Sequence, residues 1–86
     1  MTKLHKLKLS EFFADSVLSG EKPFEIRKND RGFQKGDRVM FDVHDRDGLP
    51  MEHAVNHVVY EITYVMSGWG LYPQYCVFGI SPVDLS

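Results

Sequence analysis

The sequence predicts a mainly β domain of the α+β kind: about five strands in a small, barrel-like antiparallel sheet capped by one short helix. Three observations predict it. Apolar and polar residues alternate over several short runs, the period-of-two pattern of half-buried strands. Only the segment 11–19 has helical spacing, and it lies between a capping serine and a glycine stop. A chain of 86 residues makes one domain that buries only roughly 60 to 65% of its unfolded surface, a limit that a small closed sheet suits.

The first strand is expected at residues 5–9, around Leu7-Lys8-Leu9. Ser10 then caps a helix over 11–19 that Gly20 ends, with Phe13, Val17 and Leu18 as its apolar stripe and Phe13 and Val17 docked into one end of the sheet. A strand at 24–28 follows, then turns at Asn29-Asp30-Arg31-Gly32 and Lys35-Gly36-Asp37. The strand at 38–44 alternates cleanly, Val39, Phe41 and Val43 on one face and Met40, Asp42 and His44 on the other. Residues 45–56 have no strong period and read as loop. A long strand is expected at 57–67, with Tyr60, Ile62, Tyr64 and Met66 on one face and Val59, Glu61, Thr63 and Val65 on the other; a last one is expected at 75–81. Phe41, Val43, Ile62 and Phe78 are the expected core. Cys76 shares a strand face with Phe78 and Ile80, which makes it a core thiol.

Hydrophobic residues at 43% and charged residues at 26% are ordinary for a folded domain. A single cysteine excludes an internal disulfide, no segment approaches the roughly 20 apolar residues of a membrane span, and charges interrupt residues 1–8 where a signal peptide would need an apolar run. Cytoplasmic residence, with no membrane partner and no cofactor, is the expectation. The net charge of −2 conceals an asymmetry: residues 22–38 carry Lys22, Arg27, Lys28, Arg31, Lys35 and Arg38 against three acids, whereas Arg46 is the only lysine or arginine beyond residue 38, against six acids there. An anion would be drawn to the first of these regions, and the acidic remainder discourages wrapping of a long duplex.

The richest segment is Gly20-Glu21-Lys22-Pro23-Phe24-Glu25-Ile26-Arg27. On a strand, Phe24 and Ile26 would anchor one face while Glu25 and Arg27 share the other, with Lys22 at the strand's mouth. Such a lysine can act as base or nucleophile and such an arginine can hold phosphate or carboxylate; the same residues also make an ordinary exposed ion pair beside a turn. Trp69, between two glycines, offers a surface on which a base can stack, or a lid folded back on the core, a reading that Tyr72 shares. His44, His53 and His57 invite a metal reading, but the helix that an i,i+4 pair of His53 and His57 needs is not foreseen, and no metal is expected. Asp45-Arg46-Asp47-Gly48 lacks the later glutamate of a calcium loop and reads as a turn.

The pattern G-x-K-x-x-E-x-R resembles the signature of the ASCH domain, a small β-barrel of the PUA-like superfamily, and all four fixed positions match in residues 20–27. The resemblance extends to Leu7-Lys8-Leu9, to the helix, to Phe33-Gln34-Lys35-Gly36-Asp37 and to Tyr75 through Ile80. It is strongest to compact bacterial and phage domains of unknown function whose strand continues Phe-Glu-Ile-Arg-Lys-Asn-Asp-Arg, here Phe24 to Arg31 without a break. It implies binding of RNA or a nucleotide-like ligand, with Lys22, Arg27, Lys28 and Arg31 on phosphate, Glu25 accepting from a base or ribose hydroxyl, and Trp69 stacking. Some ASCH relatives are amidohydrolases of acetylated cytidine and others are proposed ribonucleases, which implies Lys22, with Glu25, as the catalytic candidates. In the amidohydrolases a threonine stands where this chain has Glu25. A third class, a phage or host protein-interaction module, would show an extended apolar patch away from the signature.

Overall fold

The computed structural model describes residues 2–83; Met1 and residues 84–86, Asp84 of the acidic region among them, lie outside the described residues. Strand β1 (Leu4–Ser10) buries His5, Leu7 and Leu9 and exposes Leu4, Lys6 and Lys8, the two-residue period its sequence dictates. Ser10 ends the strand and caps the helix, its hydroxyl accepting from the Phe12 amide at 3.2 Å. Helix α1 (Glu11–Ser19) stops at Gly20, whose φ of 85° lets its N–H reach the Val17 carbonyl. Its buried residues are Ala14 and Val17, not Phe13. A nine-residue helix buries one narrow stripe, and the stripe centred on Ala14 and Val17 turns Phe13 aside toward the next strand.

Strand β2 (Phe24–Lys28) leads through two turns to β3 (Arg38–His44). Strands β4 (Tyr60–Ser67) and β5 (Tyr75–Pro82) complete a sheet of order β1-β3-β4-β5-β2. Each expected strand is present, but the sheet is mixed: β1 runs parallel to β3, because α1 and β2 lie between them and return the chain to the starting end. The ladders do not close. Strands β1 and β2 remain edges, so the expected barrel is an open sheet whose two ends meet at a seam. A side chain crosses that seam where Arg27 Nη2 donates to the Lys8 carbonyl at 2.7 Å.

The expected strand at 57–67 begins only at Tyr60, because Ala54–His57 forms a 3₁₀ turn within what reads as featureless loop. Asn56 fixes that turn by accepting from the Val43 amide and donating to the Met51 carbonyl, which leaves Val55 fully buried. Phe41, Val43, Ile62 and Phe78 lie in the core as expected, joined by Leu7, Leu9, Val39, Cys76 and Phe33, whose ring packs 4.8 Å from that of Phe78.

The alternation read along β4 fails at Thr63. Ile62 pairs with Ile80 and Tyr64 with Gly79, so Thr63 is an extra bulged residue. Beyond it the faces exchange: Tyr64 is exposed, and Val65, opposite Phe78, packs against the core. Gly79 makes room for the bulge, since a Cβ there would stand 2.6 Å from Thr63 Oγ1. Gly79→Ala is therefore expected to cost about 1 to 3 kcal/mol. Adding Thr63→Ala should restore most of it, because the threonine hydroxyl is the clashing atom; urea midpoints of the three variants check this, and additive losses would refute it.

Candidate functional site

Strand β2 sits on β5 in antiparallel register, Glu25 opposite Phe78 and Arg27 opposite Cys76. Phe78 and Cys76 point into the core, so Glu25 and Arg27 face inward while Phe24 and Ile26 face out. The expected anchoring is thus reversed: Glu25 is 3% exposed, whereas Phe24 and Ile26 are 39% and 52% exposed. The reversal has a physical cause. A buried carboxylate is tolerable only if paired and hydrogen-bonded, and Glu25 is paired twice. Lys22 Nζ donates to Oε2; Arg27 donates to Oε1 from Nε at 3.1 Å and from Nη2 at 2.7 Å.

Each cation is positioned in turn. The Lys22 amide donates to the Ser16 carbonyl at the end of α1, its ammonium donates to the Phe24 carbonyl at 3.0 Å, and the ammonium lies 4.7 and 5.1 Å from the ring centroids of Phe13 and Phe24. Arg27 is held by Glu25 and by the Lys8 carbonyl across the seam. Two cations share one carboxylate, so the group carries a net positive charge. Its donors are not exhausted: Lys22 has one N–H beyond these bonds and Arg27 has the two on Nη1.

These three side chains line one cleft of about 430 Å³ between the end of β1, helix α1 and β2, together with Leu9, Ser10, Phe13, Phe24 and Ile26. The size is that of a small-ligand site. Lys28 and Arg31 are exposed outside it, Lys28 opposite Tyr75 on β5. Trp69 has φ 54°, a left-handed conformation flanked by Gly68 and Gly70, and is 89% exposed on the loop between β4 and β5. Neither it nor the exposed Tyr72 folds back as a lid, and neither lines the cleft. The structure gathers Lys22, Glu25 and Arg27 and leaves Lys28, Arg31 and Trp69 apart. Sequence reading missed Phe13 and Ile26 as cleft walls, and it missed the exposed Lys6 and Lys8 on β1, the other edge of the seam.

Other titratable groups are structural. Asp37 is buried and accepts from His5 Nε2 at 2.8 Å and from the amides of Lys3 and Gln34, both at 3.2 Å. Burial pushes its carboxyl up, but these hydrogen bonds and the nearby His5 outweigh burial and hold it below its ordinary 3.8. Burial raises the Cys76 thiol, as befits a core residue, and the Tyr60 hydroxyl. His53 pairs with Asp15 at 2.7 Å and His57 with Glu52 at 2.6 Å; among the described residues no three His, Cys, Asp or Glu groups gather as a metal site would require. Asp45 accepts from the amides of Asp47 and Leu49, so Asp45 to Gly48 is a turn. No helix among the described residues is long and apolar enough to cross a membrane.

The chain is 42% identical over 40 residues, 46% of its length, to an uncharacterized 12.9 kDa protein in the GpA 3' region of Escherichia phage P2; the match spans 37% of that relative's length. A family model described as a domain of unknown function, DUF3850, matches residues 4–80, from the start of β1 to the buried Ile80, and the chain belongs to that family.

Proposed function

We propose that the domain is an ASCH-type, PUA-like fold that binds RNA or a nucleotide-like ligand in the cleft beside Lys22, Glu25 and Arg27. One observation carries this reading: two cations converge on a single buried carboxylate at the wall of a cleft otherwise lined by two phenylalanine rings, Leu9, Ile26 and Ser10, with N–H groups left to donate. An anionic or carbonyl oxygen of the ligand takes those donors, and a planar base lies against Phe13 and Phe24. Glu25 is buried and three of its roughly four acceptor sites are taken by the cations, so its part is to orient Lys22 and Arg27 toward the ligand. Lys6, Lys8, Lys28 and Arg31 around the seam give a longer RNA a favourable potential.

Short single-stranded RNA and a nucleoside monophosphate, titrated at two salt concentrations, test this. RNA binding should weaken as salt rises. Lys22→Met should lower affinity by about 1.5 to 3 kcal/mol for either ligand, while Arg27 still pairs with Glu25 and preserves the fold. No binding at low salt, or equal affinity in Lys22→Met, would sink the proposal. Turnover of an acylated cytidine or of RNA by the parent protein, abolished in Lys22→Met with binding retained, would instead make the domain a hydrolase.

A further inference from the structure

The outer surface of β2, β5 and β4 is an uncovered apolar face. Its register sets Tyr64, Gly79 and Phe24 in one row across the three strands, and Met66, Val77 and Ile26 in the next. The following row holds Tyr75 beside Lys28, and Tyr75 continues into the loop through the Tyr72 ring at 6.2 Å. Tyr64 and Tyr72 are 64% and 80% exposed. At roughly 200 Å² per aromatic residue, the open part of this face is on the order of 600 Å², and Trp69 at the loop adds up to about 200 Å². That is at the upper limit of the apolar patch a soluble monomer carries and close to the roughly 800 Å² per partner of a standard stable interface.

We infer that this face is a two-fold interface with a second copy of the chain. The charges favour a protein over nucleic acid: Lys28 stands at one corner of the face while its centre is tyrosine, methionine, valine and isoleucine. They also favour a copy of itself. Lys28 lies at one end of β2, and Glu61, exposed between Ser81 of β5 and Arg38 of β3, lies at the other end on β4, at the diagonal corner of the face, where it takes a second cation beside Arg38. A two-fold axis lying in the face between those corners brings each Lys28 to the partner's Glu61, so a self-complementary pair forms twice. Phe24 and Ile26 belong both to this face and to the cleft, so the second copy borders the cleft's mouth.

Sedimentation equilibrium of the full chain over a range of about 1 to 300 µM tests the inference, in the range where an interface of this size associates. A monomer–dimer equilibrium is expected, weakened about tenfold or more by Tyr64→Asp and also by Tyr72→Asp. Both residues are largely exposed, so the circular dichroism spectrum and melting of dilute protein should not change. In addition, Glu61→Lys should weaken the dimer and Glu61→Lys with Lys28→Glu should partly restore it. A monomer throughout, a dimer indifferent to both tyrosine variants, or a monomer whose Tyr64→Asp variant loses only affinity for a single-stranded oligonucleotide would overturn the inference, the last by assigning the face to nucleic acid.

Discussion

Glu25→Ala should lower the unfolding free energy by about 3 to 5 kcal/mol, among the largest losses available to a single substitution in this chain. The carboxylate is buried and accepts from two cations, so its removal leaves Lys22 and Arg27 facing one another without an intervening charge. Their side chains are partly exposed and recover some hydration, which places the effect toward the lower limit. For a domain of this length that is a fall in melting temperature on the order of 15 °C, against a total stability of about 4 to 13 kcal/mol. Glu25→Gln keeps the shape and one acceptor and should cost about half as much. Replacing the whole trio, Lys22→Met with Glu25→Leu and Arg27→Met, should recover much of the loss, since apolar packing can stand in for a buried ion group. Chemical denaturation of the four proteins decides it: a Glu25→Ala variant within 1 kcal/mol of the parent by that measurement would show that the carboxylate is not what holds the two cations in place.

The same residue marks where the sequence stops being legible. Strand positions were readable because Val39, Phe41 and Val43 alternate with polar neighbours and register follows from burial. In β2 the apolar and charged residues alternate equally well, but periodicity shows only that there are two faces, not which is inside. The rule that apolar residues go in chose wrongly, because the carboxylate brings its own compensating partners, one at position −3 and one at +2. Non-local facts were out of reach in the same way. The parallel β1–β3 pairing depends on the path of α1 and β2, and the Thr63 bulge depends on what Gly79 leaves empty across the strand. Trp69 was placed correctly between permissive glycines, yet local sequence carries nothing about its separation from the cleft. The proximity of Lys22, Glu25 and Arg27 was legible, since spacing within a few residues fixes neighbourhood whichever way the strand faces.

Asp37 supplies the other large expected effect, and it has a pH signature. Its carboxylate collects the amides of Lys3 and Gln34 and the ring of His5, tying the segment before β1 to the turn before β3. Asp37→Ala strands the buried His5 ring nitrogen and two part-buried amides and should cost about 3 to 5 kcal/mol, with roughly 1.5 to 3 from the buried bond and less from each amide that water can reach. The folded carboxyl lies below its ordinary 3.8, so the folded state favours the ionised form more than the unfolded chain does. The resulting stability is fully present above about pH 3.8 and is lost as pH falls through the lower folded value. Asp37→Asn retains a side-chain carbonyl but cannot ionise, so it should be less stable than the parent at pH 6, and the gap should narrow as the pH is lowered past that range. Urea midpoints of the parent and Asp37→Asn between about pH 6 and pH 2.5 measure the gap directly, because the shift applies to this group and cancels the acid response of the other carboxylates. Parallel curves across the whole interval would mean that Asp37 is not held ionised by the contacts that surround it.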